Sequence, residues 1–150
     1  MERQKKITVI IPCYNEEKGI GVTIEGIPKE KLKDRGYLVD VLVIDNNSKD
    51  KTAECARKAG ARVITELKQG KGNALRKGFK NVPKDSDYVV MLDGDNTYKG
   101  HEILRLIEPL DSGFCDVVIG SRLEGKMTDY SLSLSHSLAN WFFTFITRNF

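Results

Sequence analysis

The chain has 150 residues, a length typical of one domain with a single hydrophobic core. Hydrophobic residues make up 40% and charged residues 30%, which excludes collagen-like and intrinsically disordered classes. The net charge is +3 and the basic residues are spread along the chain, so we expect no nucleic-acid partner. The three cysteines form no C-x-x-C pair, and no signal peptide or spanning helix is predicted. We therefore expect a cytoplasmic protein with one domain over residues 1–150.

Five short apolar runs, each bounded by Pro, Gly, Asp, Asn or Ser, predict five β-strands. They cover residues 7–11, 39–44, 62–65, 88–92 and 116–120.

Helical signals lie between these runs and complete a βαβαβαβαβ pattern. The predicted helices cover residues 16–27, 50–59, 73–79 and 101–107, with Gly60 and Pro109 as stops. This alternation predicts an α/β fold, a Rossmann-like and mostly parallel sheet with helices on both faces. In such folds ligands bind beyond the carboxyl ends of the strands, so polar residues there are candidates for chemistry.

Asp93 and Asp95 flank Gly94 directly after the fourth predicted strand, which we expect to be central. Two carboxylates at a strand end, with a glycine that permits a tight turn, present hard oxygen ligands side by side. Mg²⁺ and Mn²⁺ bind such oxygens together with substrate phosphates. Solvated acids in a turn are the alternative, but the position at a strand end favours a metal site.

The second predicted strand ends in Asp45, Asn46 and Asn47. A carboxylate and two amides at this point suit hydrogen bonding to a nucleobase or a ribose. Ser48 and Asp50 are predicted to be structural, in an Asx turn and a helix N-cap.

Gly70, Lys71 and Gly72 precede a predicted helix, where free backbone N–H groups and an ammonium group suit an anion. The pattern approaches G-x-G-x-x-G, with Leu75 at the third glycine and Asp93 about 20 residues further on. A dinucleotide-binding domain is therefore one alternative, although that fingerprint belongs on the first βα turn.

Residues 134–150 predict an amphipathic terminal helix. Its apolar face comprises Leu134, Leu138, Trp141, Phe142, Phe145 and Ile146. Because the polar face carries only one arginine, we expect this face to pack against further protein, with self-association or a membrane surface as alternatives. The chain ends without a helix cap, which predicts that a following segment is missing.

Five motifs, in register with the predicted strand ends, together resemble glycosyltransferase family 2 with the GT-A fold. In particular, they resemble the branch of dolichyl-phosphate mannose and glucose synthases. The motifs are VIIPCYNEE at 9–17, VIDNNSKD at 43–50, GKGNA at 70–74, MLDGD at 91–95 and VIGSR at 118–122. The resemblance implies inverting transfer of a hexose from a UDP- or GDP-sugar to a polyprenyl or dolichyl phosphate, or to a soluble phosphorylated acceptor. It also implies Mg²⁺ or Mn²⁺ as cofactor and a location at the cytoplasmic face of a membrane.

The resemblance also implies residue roles by motif position. Asp93 and Asp95 are implied as the catalytic pair that holds the cation, and Arg122 as a catalytic group that faces the diphosphate or an acceptor phosphate. The implied nucleotide-sugar contacts are Pro12, Tyr14, Asn15, Glu16, Asp45, Asn47, Lys71, Asp93 and Gly94.

Two features depart from the family pattern. Asn46 stands where family loops often carry a second Asp, which leaves the nucleobase open between uracil and guanine. The chain ends at Phe150, whereas relatives continue into a segment that contacts the acceptor. A donor-binding module that is inactive without a partner or a further segment is therefore a second alternative.

Overall fold

The structure, a computed structural model, describes residues 3–120. Residues up to Asp116 form one compact unit, and a second unit begins at Val117. In the first unit four parallel strands form one sheet in the order β3-β2-β1-β4. The strands are β1 (Lys5–Cys13), β2 (Tyr37–Asp45), β3 (Arg62–Thr65) and β4 (Tyr88–Met91).

Strand β1 lies between β2 and β4 and is buried on both faces. Ile7, Val9 and Ile11 pack into one apolar cluster, while Ile10, which points to the opposite face, packs into a second. Because neither face meets solvent, the strand is a continuous apolar run rather than an alternating one. The sequence pattern therefore predicts this strand correctly.

Helices cover both faces of the sheet and connect the strands. Helix α4 buries Ala74 against the second cluster, and the buried apolar residues of the other helices belong to the first. The helices are α1 (Ile20–Glu25), α2 (Lys29–Asp34), α3 (Thr52–Lys58), α4 (Lys71–Lys80) and α5 (Ile103–Asp111), the last preceded by a 3₁₀ turn (Gly100–Glu102). The predicted Rossmann-like α/β class is confirmed.

The prediction of a fifth strand over residues 116–120 is wrong, because the structure has no strand there. Val117 and Ile119 are 73% and 85% exposed. A strand needs a neighbour that accepts and donates its backbone hydrogen bonds, and within residues 3–120 no strand pairs with this run. As a consequence β4 is the outer strand of the described sheet rather than a central one.

Two helix boundaries differ by more than two residues from those predicted, and one helix was not predicted. Helix α1 begins at Ile20 instead of Glu16: a single turn, in which the Glu16 carbonyl accepts from the amides of Gly19 and Ile20, precedes it, and the amides of residues 15–17 donate to side chains of residues 48–52. Helix α2 was not predicted, and its six residues follow Pro28, which limits the backbone to a helix-compatible φ. Helix α5 continues through Pro109, since a proline in the last turn removes only one hydrogen bond.

No helix within residues 3–120 combines the length and apolarity needed to cross a bilayer. Arg122 and the amphipathic helix predicted over residues 134–150 lie outside the described residues. The single domain over residues 1–150 therefore stays a prediction.

The strand order determines where a crevice forms. Strands β2 and β3 lie on one side of β1, and β4 lies on the other. The chain leaves β1 toward β2 on one side and, after β3, crosses to β4 on the other side, so the strand order reverses at β1 and a crevice opens between the carboxyl ends of β1 and β4. Such a switch point is where open α/β sheets bind their ligands.

Candidate functional site

A cavity of about 220 Å³ opens at this crevice. Its walls come from the carboxyl ends of β1, β2 and β4 and from the start of α4. They consist of Pro12, Cys13, Tyr14, Glu16, Asn46, Lys71, Ala74, Asp93, Gly94 and Asp95. All of these except Cys13, Asn46 and Ala74 belong to the set implied by the sequence.

The turn that carries the two aspartates packs directly on the end of β1. Leu92 donates its backbone N–H to the carbonyl of Ile10, which continues the β1–β4 ladder past Met91. The Thr23 hydroxyl donates to the Gly94 carbonyl at 3.2 Å. A Cβ on Gly94 would lie 2.5 Å from the Cys13 sulfur, so only glycine fits without displacing a neighbour. This close approach brings Asp93 and Asp95 to the rim of the crevice.

The two carboxylates have different partners. Lys71 places its Nζ 2.6 Å from Asp93 Oδ1, and the two side chains are 61% and 26% exposed. Asp95 Oδ1 accepts a hydrogen bond from the Thr97 amide at 2.8 Å. Burial acts to raise the pKa of Asp95, but the hydrogen bonds from the Thr97 side chain and backbone outweigh it. The pKa of Asp95 therefore lies below its ordinary value, and the group is ionised at neutral pH.

Glu16 adds a third carboxylate to the cavity. Burial raises its pKa, and the negative charges of Asp95, Asp50 and Asp93 raise it further. The cavity walls thus carry three carboxylates and one ammonium group. This excess of negative charge favours a cation as one of the ligands.

The donor set fits a divalent cation only in part. Within residues 3–120 no three side chains of His, Cys, Asp or Glu converge to form a metal site. Asp93 and Asp95 can supply two hard oxygen ligands, which is the usual protein contribution to Mg²⁺ where phosphates and water complete the coordination. The residues present therefore fit a cation that binds together with a phosphorylated ligand.

Asn15, Asp45 and Asn47 do not line the cavity. Asn15 accepts from the Lys49 amide at 2.8 Å and donates its own amide to the Ser48 hydroxyl at 3.0 Å. Asp45 is 6% exposed and accepts from the Ser48 amide at 3.4 Å. Asn15 and Asn47 adopt left-handed φ values of 55° and 62°. In this structure they shape the loops around the cavity, and their contact with a nucleotide stays a prediction.

Ser48 and Asp50 form hydrogen bonds within the protein, as predicted for structural residues, but the N-cap of α3 is Lys51 rather than either of them. Asp50 accepts from the Glu17 amide at 3.2 Å and from the Thr52 amide at 3.0 Å, and the Thr52 hydroxyl also donates to it. Burial acts to raise the pKa of Asp50, but these hydrogen bonds outweigh it and the pKa is lowered. Since the buried Thr52 oxygen also accepts from the Glu16 amide at 2.7 Å, this side chain links the loop after β1 to the start of α3.

Substitution of Thr52 by valine is expected to lower the free energy of unfolding by about 1–2 kcal/mol, because the Glu16 amide loses its buried acceptor. The pKa of Asp50 should rise toward its ordinary value. The wild type keeps the Asp50 contribution above about pH 4 and loses it as pH falls through the lower folded-state pKa, so acid should destabilise the variant less. Denaturant unfolding at several pH values checks this, with exposed Thr65→Val as control. Equal stability of Thr52→Val and wild type would contradict it.

The structure adds three residues to the cavity that are not among the contacts implied by the family resemblance. Every second residue of a strand faces the same side, so the sequence places Cys13 on the same face of β1 as Ile7, Val9 and Ile11. Burial raises the pKa of the Cys13 thiol, with smaller effects from Glu16 and Asp45, so it stays neutral. Asn46 reaches the cavity from the end of β2, where its position at a strand end marks it as a candidate, whereas no local pattern in the sequence identifies Ala74, which reaches the cavity from α4.

Comparison with known proteins gives a family match over most of the chain. The family described as glycosyl transferase family 2 matches residues 8–150. The chain is 41% identical to Protein RfbJ of Shigella flexneri over 118 residues, which is 79% of this chain and 86% of that protein. It is 35% identical to Glycosyltransferase AglJ of Haloferax volcanii over 144 residues, which is 93% of this chain and 45% of AglJ.

Solved structures share the fold. Glucosyl-3-phosphoglycerate synthase from Mycobacterium tuberculosis, in complex with Mn²⁺, UDP-glucose and phosphoglyceric acid, superposes with a TM-score of 0.61 at 33% identity. The superposition covers 73% of this chain and 40% of that one. Mannosyl-3-phosphoglycerate synthase from Rubrobacter xylanophilus, with a TM-score of 0.60 at 24% identity, has a similar fold. The present chain therefore spans less than half of AglJ and of these synthases.

Proposed function

Because this chain belongs to glycosyltransferase family 2, a family of nucleotide-sugar transferases, we propose that its cavity binds a UDP- or GDP-sugar and transfers the hexose, with inversion, to a phosphorylated acceptor. The observation that carries the proposal is the convergence of Asp93, Asp95, Glu16 and Lys71 at the β1–β4 crevice. The relatives support it through their names, which include a glycosyltransferase and a hexosyltransferase.

Donor binding follows from the charges of the cavity. A diphosphate is repelled by three carboxylates unless a cation lies between them. Asp93 and Asp95 would hold Mg²⁺ or Mn²⁺, which when bound supplies positive charge to the diphosphate oxygens. The Tyr14 ring, 47% exposed, and Pro12 offer an apolar surface to the nucleoside on the other side of the crevice. The Mycobacterium tuberculosis synthase, which was solved with Mn²⁺ and UDP-glucose, supports the proposal that a nucleotide sugar and a divalent cation bind together.

The transfer needs stabilisation of the leaving group above all. The bond between the anomeric carbon and the β-phosphate oxygen breaks, and its electron pair stays on the nucleoside diphosphate. An acceptor oxygen forms the new bond from the opposite face of the sugar, which inverts the anomeric carbon. Lys71, held beside Asp93, is placed to stabilise the charge that develops on the diphosphate. Arg122 is proposed to face the diphosphate or the acceptor phosphate.

For the acceptor we propose a polyprenyl phosphate at the cytoplasmic face of a membrane. The second pKa of a phosphate monoester is about 6, so the attacking oxygen is already ionised and no general base is required. A soluble phosphorylated acceptor that reacts through a hydroxyl group requires such a base. The Mycobacterium tuberculosis synthase was solved with phosphoglyceric acid. Phosphoglycerate is therefore the soluble acceptor to compare with a polyprenyl phosphate.

Calorimetric titration with UDP and GDP, with and without Mn²⁺, tests the donor site. We expect Mn²⁺ to tighten the binding of one nucleotide by at least about tenfold, because a cation held by Asp93 and Asp95 would offset the repulsion between the carboxylates and the diphosphate. By thermodynamic reciprocity the same nucleotide should tighten Mn²⁺ binding by the same factor. Nucleotide binding that is unchanged by EDTA would contradict this prediction. Binding of NAD instead would support the dinucleotide alternative.

A transfer assay separates the enzyme from a donor-binding module. The chain is incubated with the UDP- or GDP-sugar that binds, Mn²⁺ and either a polyprenyl phosphate in detergent or phosphoglycerate. Sugar transfer to the lipid supports the proposed acceptor, and transfer to phosphoglycerate alone contradicts it. Donor binding without transfer to either supports the second candidate, a donor-binding module that needs a partner or a further segment.

A further inference from the structure

The Asn46 side chain is buried, with 4% exposure, and holds three backbone groups of one loop. Its Nδ2 donates to the carbonyls of Glu66 and Lys68, each at 2.9 Å. Its Oδ1 accepts from the Gly70 amide at 2.7 Å. Two carbonyls and one N–H around the same side chain require a carboxamide, since no other side chain of this size offers two N–H donors and an acceptor.

We propose that Asn46 is a positioning residue that holds the loop of residues 66–70 and thereby places Lys71 beside Asp93, rather than a residue that reads the nucleobase. The inference rests on the proposed function, because it concerns the donor site. Both amide protons of Asn46 are already used within the protein. No N–H donor of Asn46 is left to bind a nucleobase, even though the side chain lines the cavity.

The loop needs such an anchor. Leu67 is 74% exposed, and residues 67–70 are all exposed, so little apolar packing fixes their position. Gly70 has φ of +122°, a region that glycine adopts and other residues avoid, and its amide is held by Asn46. Asn46 itself is tied to β1, because its backbone N–H donates to the Cys13 carbonyl at 2.8 Å.

The link to the site is short. Gly70 immediately precedes Lys71, the first residue of α4, whose Nζ lies 2.6 Å from Asp93 Oδ1. Any displacement of the Gly70 backbone therefore moves the one ammonium group among the residues that line the cavity. An aspartate at position 46 would keep the acceptor for Gly70 but place a second oxygen against two carbonyls, which releases the loop.

The test compares Asn46→Asp with Asn81→Asp. Asn81 is a matched control, because its Nδ2 also donates to a carbonyl, that of Lys77 at 2.8 Å, but at the far end of α4. Amide hydrogen exchange of the unliganded protein is followed by NMR, and UDP and GDP affinities are measured by calorimetry with Mn²⁺. In Asn46→Asp we expect the Gly70 amide to exchange at least about tenfold faster, while amides of β1 and α5 keep their rates. Affinity for the bound nucleotide should fall by about tenfold.

Each outcome decides between roles. Faster exchange over the whole sheet, or unchanged exchange at Gly70, would overturn the proposal. A reversed preference between UDP and GDP would also overturn it, because Asn46 would then read the base. Local loop release with unchanged nucleotide affinity would show that the loop does not place Lys71 for the donor. If the wild type binds no nucleotide, the proposed function fails, and the exchange data still decide whether Asn46 holds the loop.

Discussion

Substitution of Asp95 by alanine is expected to weaken Mn²⁺-dependent nucleotide binding at least about a hundredfold, or about 2.7 kcal/mol. The described protein offers only two carboxylates at the proposed cation position, Asp93 and Asp95, and Asp93 is already paired with Lys71. Without Asp95, the cation would have one carboxylate ligand, Asp93, and would compete for it with the ammonium group of Lys71. Even groups that only orient metal ligands change metal affinity by about 10- to 100-fold, so a direct ligand should matter at least as much. Calorimetry with Mn²⁺ and nucleotide measures the change.

The control for this prediction is Asp85→Ala. Asp85 is also a loop carboxylate with a lysine partner, Lys6 at 3.2 Å, but its side chain is 66% exposed and it lies outside the cavity. Thermal unfolding of both variants should resemble that of the wild type, which shows that the loss is local. Nucleotide binding in Asp95→Ala that keeps its full Mn²⁺ dependence would mean that the cation is held elsewhere.

Sequence alone predicted the part of the fold that depends on local patterns. The apolar runs at residues 7–11 and 39–44 lie inside β1 and β2 because both strands are buried on both faces, which leaves a continuous hydrophobic signal. Gly60 was predicted to end a helix, and it follows α3 with φ of +83°. The position of the Asp93–Asp95 turn at a strand end also followed from local sequence.

The features that the sequence did not predict depend on residues far apart in the chain. The loop that precedes α1 is held by side chains about 33 residues further along the chain, such as Ser48 and Asp50, and no local pattern in the sequence predicts these contacts. The run at residues 116–120 is apolar enough for a strand, but strand formation depends on a partner. Asn46 carries an amide of the kind that binds ligands. Only its hydrogen bonds to the surrounding loop show that both of its N–H donors are used within the protein.

Gly94→Ala is expected to lower the free energy of unfolding by about 1–3 kcal/mol and to weaken nucleotide binding with it. The added Cβ would meet the Cys13 sulfur at 2.5 Å, well inside van der Waals contact. Cys13 is 3% exposed and lies at the end of the central strand, so its side chain has little room to move. The turn that carries Asp93 and Asp95 must therefore move to remove the steric clash. Stability and donor binding should therefore fall together.

A double-mutant cycle with Cys13→Ala identifies the cause. Without the sulfur, the nearest atoms to the new Cβ are the Cβ of residue 13 at 3.6 Å and Glu16 Cγ at 3.7 Å, both ordinary contact distances. Gly94→Ala should then cost much less in the Cys13→Ala background, with a coupling energy of about 1 kcal/mol or more. Gly21→Ala is the matched control, because a Cβ there meets nothing within 4 Å and alanine favours the helix. Equal costs in both backgrounds would show that backbone conformation, and not the Cys13 sulfur, requires glycine at this position.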